Sequence, residues 1–219
     1  MKLFFSIIFF FFLSLPLFSN DFETQYQIKT RGITIGSLTW SLTIKDDAYI
    51  TSLYLKNKGL ISTLYAFEGE YKAVGKIQNN FLFSKEYNQF WKTQKKEKVV
   101  KIIYNNMKIS EMTLSPAEKE IARIEYNKLE NYNDPLTSFL NILFNQKPSY
   151  TIDGRRAYLL YPTKKENIVK ILIKEYENIW ADHKRNDLEY IEIIKEKDQY
   201  LPKKINIMFK GSVFSLNKI

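Results

Sequence analysis

The sequence predicts a mainly β (α+β) protein: a single curved antiparallel sheet, a half-barrel, wrapped around one central helix. Three observations carry that expectation. Apolar and polar residues alternate along most of the chain, as in Ile205, Ile207 and Phe209, which is the period of a strand with one buried face. One stretch alone, after Asp134-Pro135, spaces its apolar residues at helical intervals. The strand-like runs, about ten of them, are joined by short turns, which favours an antiparallel meander. A sheet that wide must curl or close.

The helix has clear punctuation. Asp134 is a good N-cap, because its carboxylate can accept from a free N–H of the first turn. Pro135 suits the first helical position, where a missing N–H costs nothing. Leu136, Phe139, Leu140 and Leu143 then share one face, widened by Ile142 and Phe144. So short a helix does not hold alone in water, and the apolar surface it needs is the sheet. It is read either as a plain core helix or as a lid over a ligand groove.

The strands follow in order. Phe22, Thr24, Tyr26 and Ile28 alternate, and Arg31-Gly32 makes a turn. Ile33 and Ile35 are out of phase with Leu38, Trp40, Leu42 and Ile44, so a bulge at Gly36 is expected to restore all of them to one face. Strands are expected at 48–55, 67–74 (stopped by Gly75), 81–91, 98–104 and 108–114. Residues 59–66 read equally as a helical turn or a loop. Asn105-Asn106 suits a tight hairpin turn, and 115–132 reads as a mostly exposed connection. After the helix, strands are expected at 156–161, 167–176, 188–195, 203–209 and 212–216.

Residues 1–19 have the order of a secretory signal: Lys2, an apolar run over 3–18, and Ser19 before a cut ahead of Asn20. The alternative is an uncleaved anchor, although the run is a little short to span a bilayer. No Cys follows, so a lipoprotein anchor is excluded. Residues 20–219 form one domain of sufficient size for a real core. The formal charge of +9 falls to +8 without Lys2. With no cysteine there is neither disulfide nor thiolate metal site, and a bacterial periplasm fits. The Lys- and Ile-rich vocabulary also suits an AT-rich genome. The excess of Lys favours an anionic membrane surface, and export argues against nucleic acid. The densest basic run, from Lys92 through Lys95, Lys96 and Lys98, looks like a hairpin tip.

Catalytic motifs are scarce. A Ser–His hydrolase would have to use His183, which no nucleophile elbow accompanies. Asp182, His183 and Asp187 are poor metal ligands with Lys184 and Arg185 between them. No phosphate loop or dinucleotide fingerprint occurs. No cofactor, no metal and no enzymatic activity are expected. Asp153-Gly154-Arg155-Arg156 is more informative. Gly154 makes a turn that Asp153 caps, and the two arginines should point to opposite faces. One of them would pair with a carboxylate, in a structural ion pair, or with a ligand head group, since the planar fork suits both carboxylate and phosphate. The aromatics Trp40, Tyr54, Tyr65, Phe81, Phe83, Phe90 and Trp91 suit a core, or a groove for acyl chains.

The order Tyr26, Gly32-Ile33-x-Ile35-Gly36, Gly59-Leu60, Gly75, Asp134-Pro135-Leu136, Asp153-Gly154-Arg155-Arg156, Leu201-Pro202 and Gly211-x-Val213 to Leu216 resembles the exported bacterial family catalogued as domain of unknown function 3108. The resemblance covers nearly the whole mature chain, except that 180–198 matches no family motif. It implies a periplasmic, sheet-dominated domain, similar in architecture to the half-barrels of lipoprotein carriers, and it brings no catalytic residue.

The function expected is a binding module for a hydrophobic ligand, a lipid or lipoprotein acyl chain, in the concave face of the sheet. Trp40, Phe139 and Leu143 would line the site, and Arg155 or Arg156 would meet the head group. The alternative is a structural or protein-interaction component of the envelope with a filled core.

Overall fold

The computed structural model describes residues 19–57, 66–181, 187–196 and 199–219. Thirteen strands, rather than about ten, form one antiparallel sheet. They are β1 (Ser19–Thr30), β2 (Ile33–Lys45), β3 (Ala48–Asn57), β4 (Phe67–Gln78), β5 (Phe81–Thr93), β6 (Glu97–Asn105), β7 (Lys108–Ser115), β8 (Ser149–Ile152), β9 (Arg156–Lys165), β10 (Ile168–Asn178), β11 (Leu188–Ile194), β12 (Lys204–Phe209) and β13 (Ser212–Lys218). Among the described residues one α-helix, α1 (Pro135–Asn145), lies between β7 and β8, after a single 3-10 turn at Tyr126–Lys128.

The topology is two meanders sharing a centre. β1 to β7 run outward to one edge, and β8 to β13 run inward from the other, so that the last strand pairs with the first. The two edges do not pair with each other. The connection between them runs along the seam, touching β7 through a Lys108–Glu130 bridge and β8 through an Asn133–Thr151 bridge. The result is a half-barrel around α1, the architecture expected from the alternation and the turns.

Several local expectations need correction. β4 does not stop at Gly75. It bulges there against β5 and continues to Gln78, because a Cβ at Gly75 would lie 2.1 Å from the Phe83 carbonyl oxygen. The strand thus needs glycine for a close backbone approach, not for a turn. The turn falls instead at Asn79-Asn80, both with positive φ. The bulge at β1–β2 skips Ile35, next to Gly36, and Ile35 packs against the core, whereas Ile33 is exposed. Residues 116–134 are more than an exposed connection. Ile124, Tyr126, Leu129 and Tyr132 pack against a core cluster containing Ile102 and Ile152. The short β8 was not anticipated at all. The alternatives weighed for 59–66, and the signal segment before Ser19, lie outside the described residues apart from Ala66.

α1 begins where its capping residues predict. Asp134 Oδ1 accepts from the backbone N–H of Leu136 (2.9 Å) and Thr137 (3.0 Å), with Pro135 at the first position. The helix is buried almost all round, however, with Thr137, Ser138 and Asn141 buried beside Leu136, Leu140, Ile142 and Leu143. Burying those four aliphatic side chains contributes about 1.5–3 kcal/mol each, as an upper bound.

Candidate functional site

The helix divides the concave face of the sheet into two ends. At the end it occupies, a polar frame fastens it. Ser84 Oγ donates to Asp134 Oδ2 (2.6 Å), as does Thr137 Oγ1 (2.5 Å). With its proton spent on Asp134, Thr137 Oγ1 accepts from Tyr49 OH (2.5 Å). Asp134 is fully buried, and that desolvation raises its pKa above the ordinary aspartate value despite four hydrogen bonds that lower it. Burial, reinforced by the Asp134 charge, likewise lifts the hydroxyls of Tyr49, Tyr87 and Tyr104 well above the usual tyrosine range.

Asn141 has a second structural task. β5 pairs with β6 only from Glu86 onward, which leaves the first residues of β5 without a strand on that side. Asn141 takes its place: its Oδ1 accepts from Leu82 N–H and its Nδ2 donates to Leu82 O, both at 2.8 Å. Asn133 Oδ1 accepts from Ser84 N–H in the same way (3.0 Å). Two asparagines thus complete a strand edge that would otherwise bury unpaired backbone groups. A cleft of about 190 Å³ beside them, between β5 and Tyr150, is lined by asparagines already committed to this role.

Among the described residues, the other end of the concave face carries no helix. There Ile35, Leu55, Ile173, Leu188 and Ile207 pack against the core but remain only partly buried. One row can be followed across the sheet by its register: Leu38 on β2 faces Leu55 on β3, which faces Gly69 on β4, which faces Trp91 on β5, which faces Lys98 on β6. Trp91 lies over Gly69, where a Cβ would come within 2.8 Å of its ring, and stacks on Phe67 at 5.3 Å. Leu38 is buried, Leu55 and Trp91 are half-buried, and Lys98 ends the row.

At Lys98 the row meets a polar cleft of about 210 Å³, lined by Lys98, Glu118, Arg155, Arg156, Asn178, Trp180 and Ala181. The turn between β8 and β9 builds one wall. Asp153 Oδ1 accepts from the N–H groups of Arg155 (2.9 Å) and Arg156 (2.8 Å), so it caps the turn as anticipated. Gly154 sits at φ +86°, where a Cβ would come within 2.5 Å of Val100. The turn is thereby pressed against β6, and Trp180 Nε1 clamps it from behind by donating to Gly154 O (2.9 Å). Arg155 Nε donates to Glu118 (2.7 Å) and Arg156 Nη1 to Asp153 (3.3 Å). Burial, and then the Arg155 and Lys96 charges, hold Lys98 below the ordinary lysine value.

The residues expected to form one site therefore fall into two groups. Trp40, Phe139 and Leu143 belong to the filled end. Trp40 is 2% exposed, packs on the Phe139 ring at 5.6 Å and donates its Nε1–H to Thr51 Oγ1, while Leu143 is 1% exposed. Arg155 and Arg156 line the polar cleft together instead of pointing to opposite faces, because Arg155 lies in the turn, one residue before β9 begins. Lys98 and Trp180 were not picked out as site residues, because both are far from Arg155 and Arg156 in the sequence and Lys98 reads there as part of the basic hairpin tip. Of the metal candidates, Asp182 and His183 lie outside the described residues. Asp187 Oδ2 lies 3.8 Å from Lys210 Nζ.

No family model matches this chain. No curated protein matches it either. Among solved structures, the chain is similar to a beta-barrel-like protein of domain of unknown function DUF1849 from Brucella abortus, with a TM-score of 0.49 and 10% identity over 90% of this chain and 95% of that one.

Proposed function

We propose that this chain is an exported, non-catalytic binding module of the bacterial cell envelope, resident in the periplasm, which holds an acyl chain against the helix-free end of its concave face. The observation that carries the reading is the contrast in burial. α1 fills one end, burying Leu140, Ile142 and Leu143 although Ile44, Ile77, Phe139 and Phe144 stay partly covered there, while Ile35, Leu55, Ile173, Leu188 and Ile207 are half-covered at the other, where no helix lies among the described residues. A contiguous, partly exposed apolar surface inside a curved sheet is the usual setting of a hydrophobic ligand. The order of charged, apolar and small residues in 1–19 supports export. The resemblance to domain of unknown function 3108 belongs to the same proposal. It is supported by the structural duties of the residues that carry it: Asp134 and Pro135 start the helix, Gly75 admits a close approach, and Asp153-Gly154 shapes the turn at the cleft.

Protein purified from its own envelope should carry acyl lipid at a stoichiometric level when extracted for mass spectrometry. Protein free of lipid, but crosslinked in cells to one stable envelope partner, would favour a second reading. In that reading the chain is a structural or interaction component with a filled core, and the near-complete burial of Trp40, Leu140, Ile142 and Leu143 is the observation on its side.

A further inference from the structure

We propose that Lys98, Arg155 and Arg156 form a binding site for a singly charged phosphate group, placed so that an apolar chain attached to it would run along Trp91 and Leu55. The proposal deepens the binding-module reading and rests on it for the placement of the chain. The phosphate site itself stands on its own geometry.

Charge supplies the first argument. Among the described residues, three cationic side chains line the cleft, faced by Glu118 within it and by Asp153 at its wall, which leaves one positive charge uncompensated. Asp187, which also acts on Arg156, has Lys210 3.8 Å away. Among the described residues, Lys98 is the one of the three cations without an ion-pair partner. A half-buried ammonium pressed by a neighbouring guanidinium is relieved by an anion, and a phosphodiester carries the one charge required.

Donor geometry supplies the second. Glu118 takes only the Nε–H of Arg155, and Asp153 takes only Nη1 of Arg156, so each guanidinium keeps a further N–H edge uncommitted. The Oδ1 of Asn178 accepts from Trp180 N–H (3.2 Å) and Ala181 N–H (3.3 Å), which leaves its amide NH₂ as another donor. Guanidinium forks beside a point-charge ammonium are the donor set that recognises phosphate oxygens. The cleft is also rigidly built, because Gly154 is held between Val100 and the Trp180 indole.

Continuity supplies the third. Lys98 pairs across the sheet with Trp91, and two further strand steps reach Leu55. Three strand spacings amount to roughly 15 Å. An amphiphile with its phosphate in the cleft would thus lay its chain directly on the half-buried apolar row.

The test uses the chain without its first 19 residues and two probes, inorganic phosphate and phosphatidylglycerol vesicles, with phosphatidylcholine vesicles as the zwitterionic control. Trp180 indole and Arg Nε resonances would be followed by NMR during phosphate titration, and sedimentation would report vesicle binding. Saturable binding of either anionic probe is expected, weakened about tenfold or more by Lys98→Gln and largely restored by Lys98→Arg. Lys170→Gln, on the opposite face, should leave it unchanged. Phosphate binding with no preference for phosphatidylglycerol would assign the site to a free oxyanion, and the reverse would assign it to a lipid head group. No saturable binding of either probe, or binding that Lys98→Gln leaves intact while its melting curve matches wild type, overturns the proposal. Loss of the acyl ligand from envelope-purified protein with phosphate binding retained would sink the acyl reading alone. Acyl lipid retained in Lys98→Gln, with phosphate binding lost, would sink the placement of the lipid head group in the cleft.

Discussion

The two ends of the concave face are made from the same kinds of residue and reach opposite outcomes. At the helix end, apolar rows from β1, β2, β10 and β11 meet Leu140, Ile142 and Leu143, while Asn141 and Ser138 hydrogen-bond to β5 and β8. At the far end, Leu55 on β3, Ile173 on β10 and Ile207 on β12 stay partly covered, and among the described residues nothing equivalent to the helix is laid over them. The difference is not one of hydrophobicity. It comes from short polar side chains on α1 that dock it against an incomplete strand edge, so the plug can occupy only one end.

That comparison can be broken from the helix side first. Asp134→Ala removes the cap and leaves two backbone donors and two hydroxyls unsatisfied in a buried place, for an expected loss of about 3–5 kcal/mol in urea unfolding. The same residue sets a pH dependence. Its folded pKa is raised, so the stability due to its protonated form is fully present below the ordinary aspartate value and is lost as pH rises through the raised one. Wild type should therefore gain on Asp134→Asn as pH falls through that window, which unfolding of both proteins across acid pH would show.

Leu140→Ala, at a side chain with no exposed surface, should cost about 2–5 kcal/mol by the same measurement. Asn141→Ala should cost about 2–3 kcal/mol, because it strands both backbone groups of Leu82. Hydrogen exchange should locate that loss at Leu82 and not at the hairpin tips. Leu55→Ala sits at the other extreme. Its half-buried side chain should contribute about 1 kcal/mol or less to stability, while acyl-chain binding weakens measurably. If Leu55→Ala destabilises as much as Leu140→Ala, the two ends are equally packed and the distinction fails.

The sequence made the architecture legible because alternation and punctuation act locally. Asp134 and Pro135 announce a helix start whatever surrounds them, and Ile205, Ile207 and Phe209 announce a buried strand face. What it hid depends on distant partners. Thr137, Ser138 and Asn141 fall outside the apolar stripe of the helix, and only their distant partners Tyr49, Ser149 and Leu82 explain why they are buried. β8 has four residues and is read through Asn133 on one side and β9 on the other, so no local period marks it. Gly75 looks like a stop in sequence, and its close approach to Phe83 appears only in the folded pair. The cleft was half visible: Asp153-Gly154-Arg155-Arg156 stands out as a turn with two guanidiniums. Lys98, 55 residues before Asp153, and Trp180, 26 residues after Gly154, join it through the seam of the half-barrel.

The most direct measurement is methyl NMR of the chain with a spin-labelled stearic acid added. The account predicts saturable broadening of the methyl signals of Leu55, Ile173 and Ile207, with those of Leu140, Ile142 and Leu143 left sharp. Broadening centred on the helix methyls, or none that saturates, would contradict it.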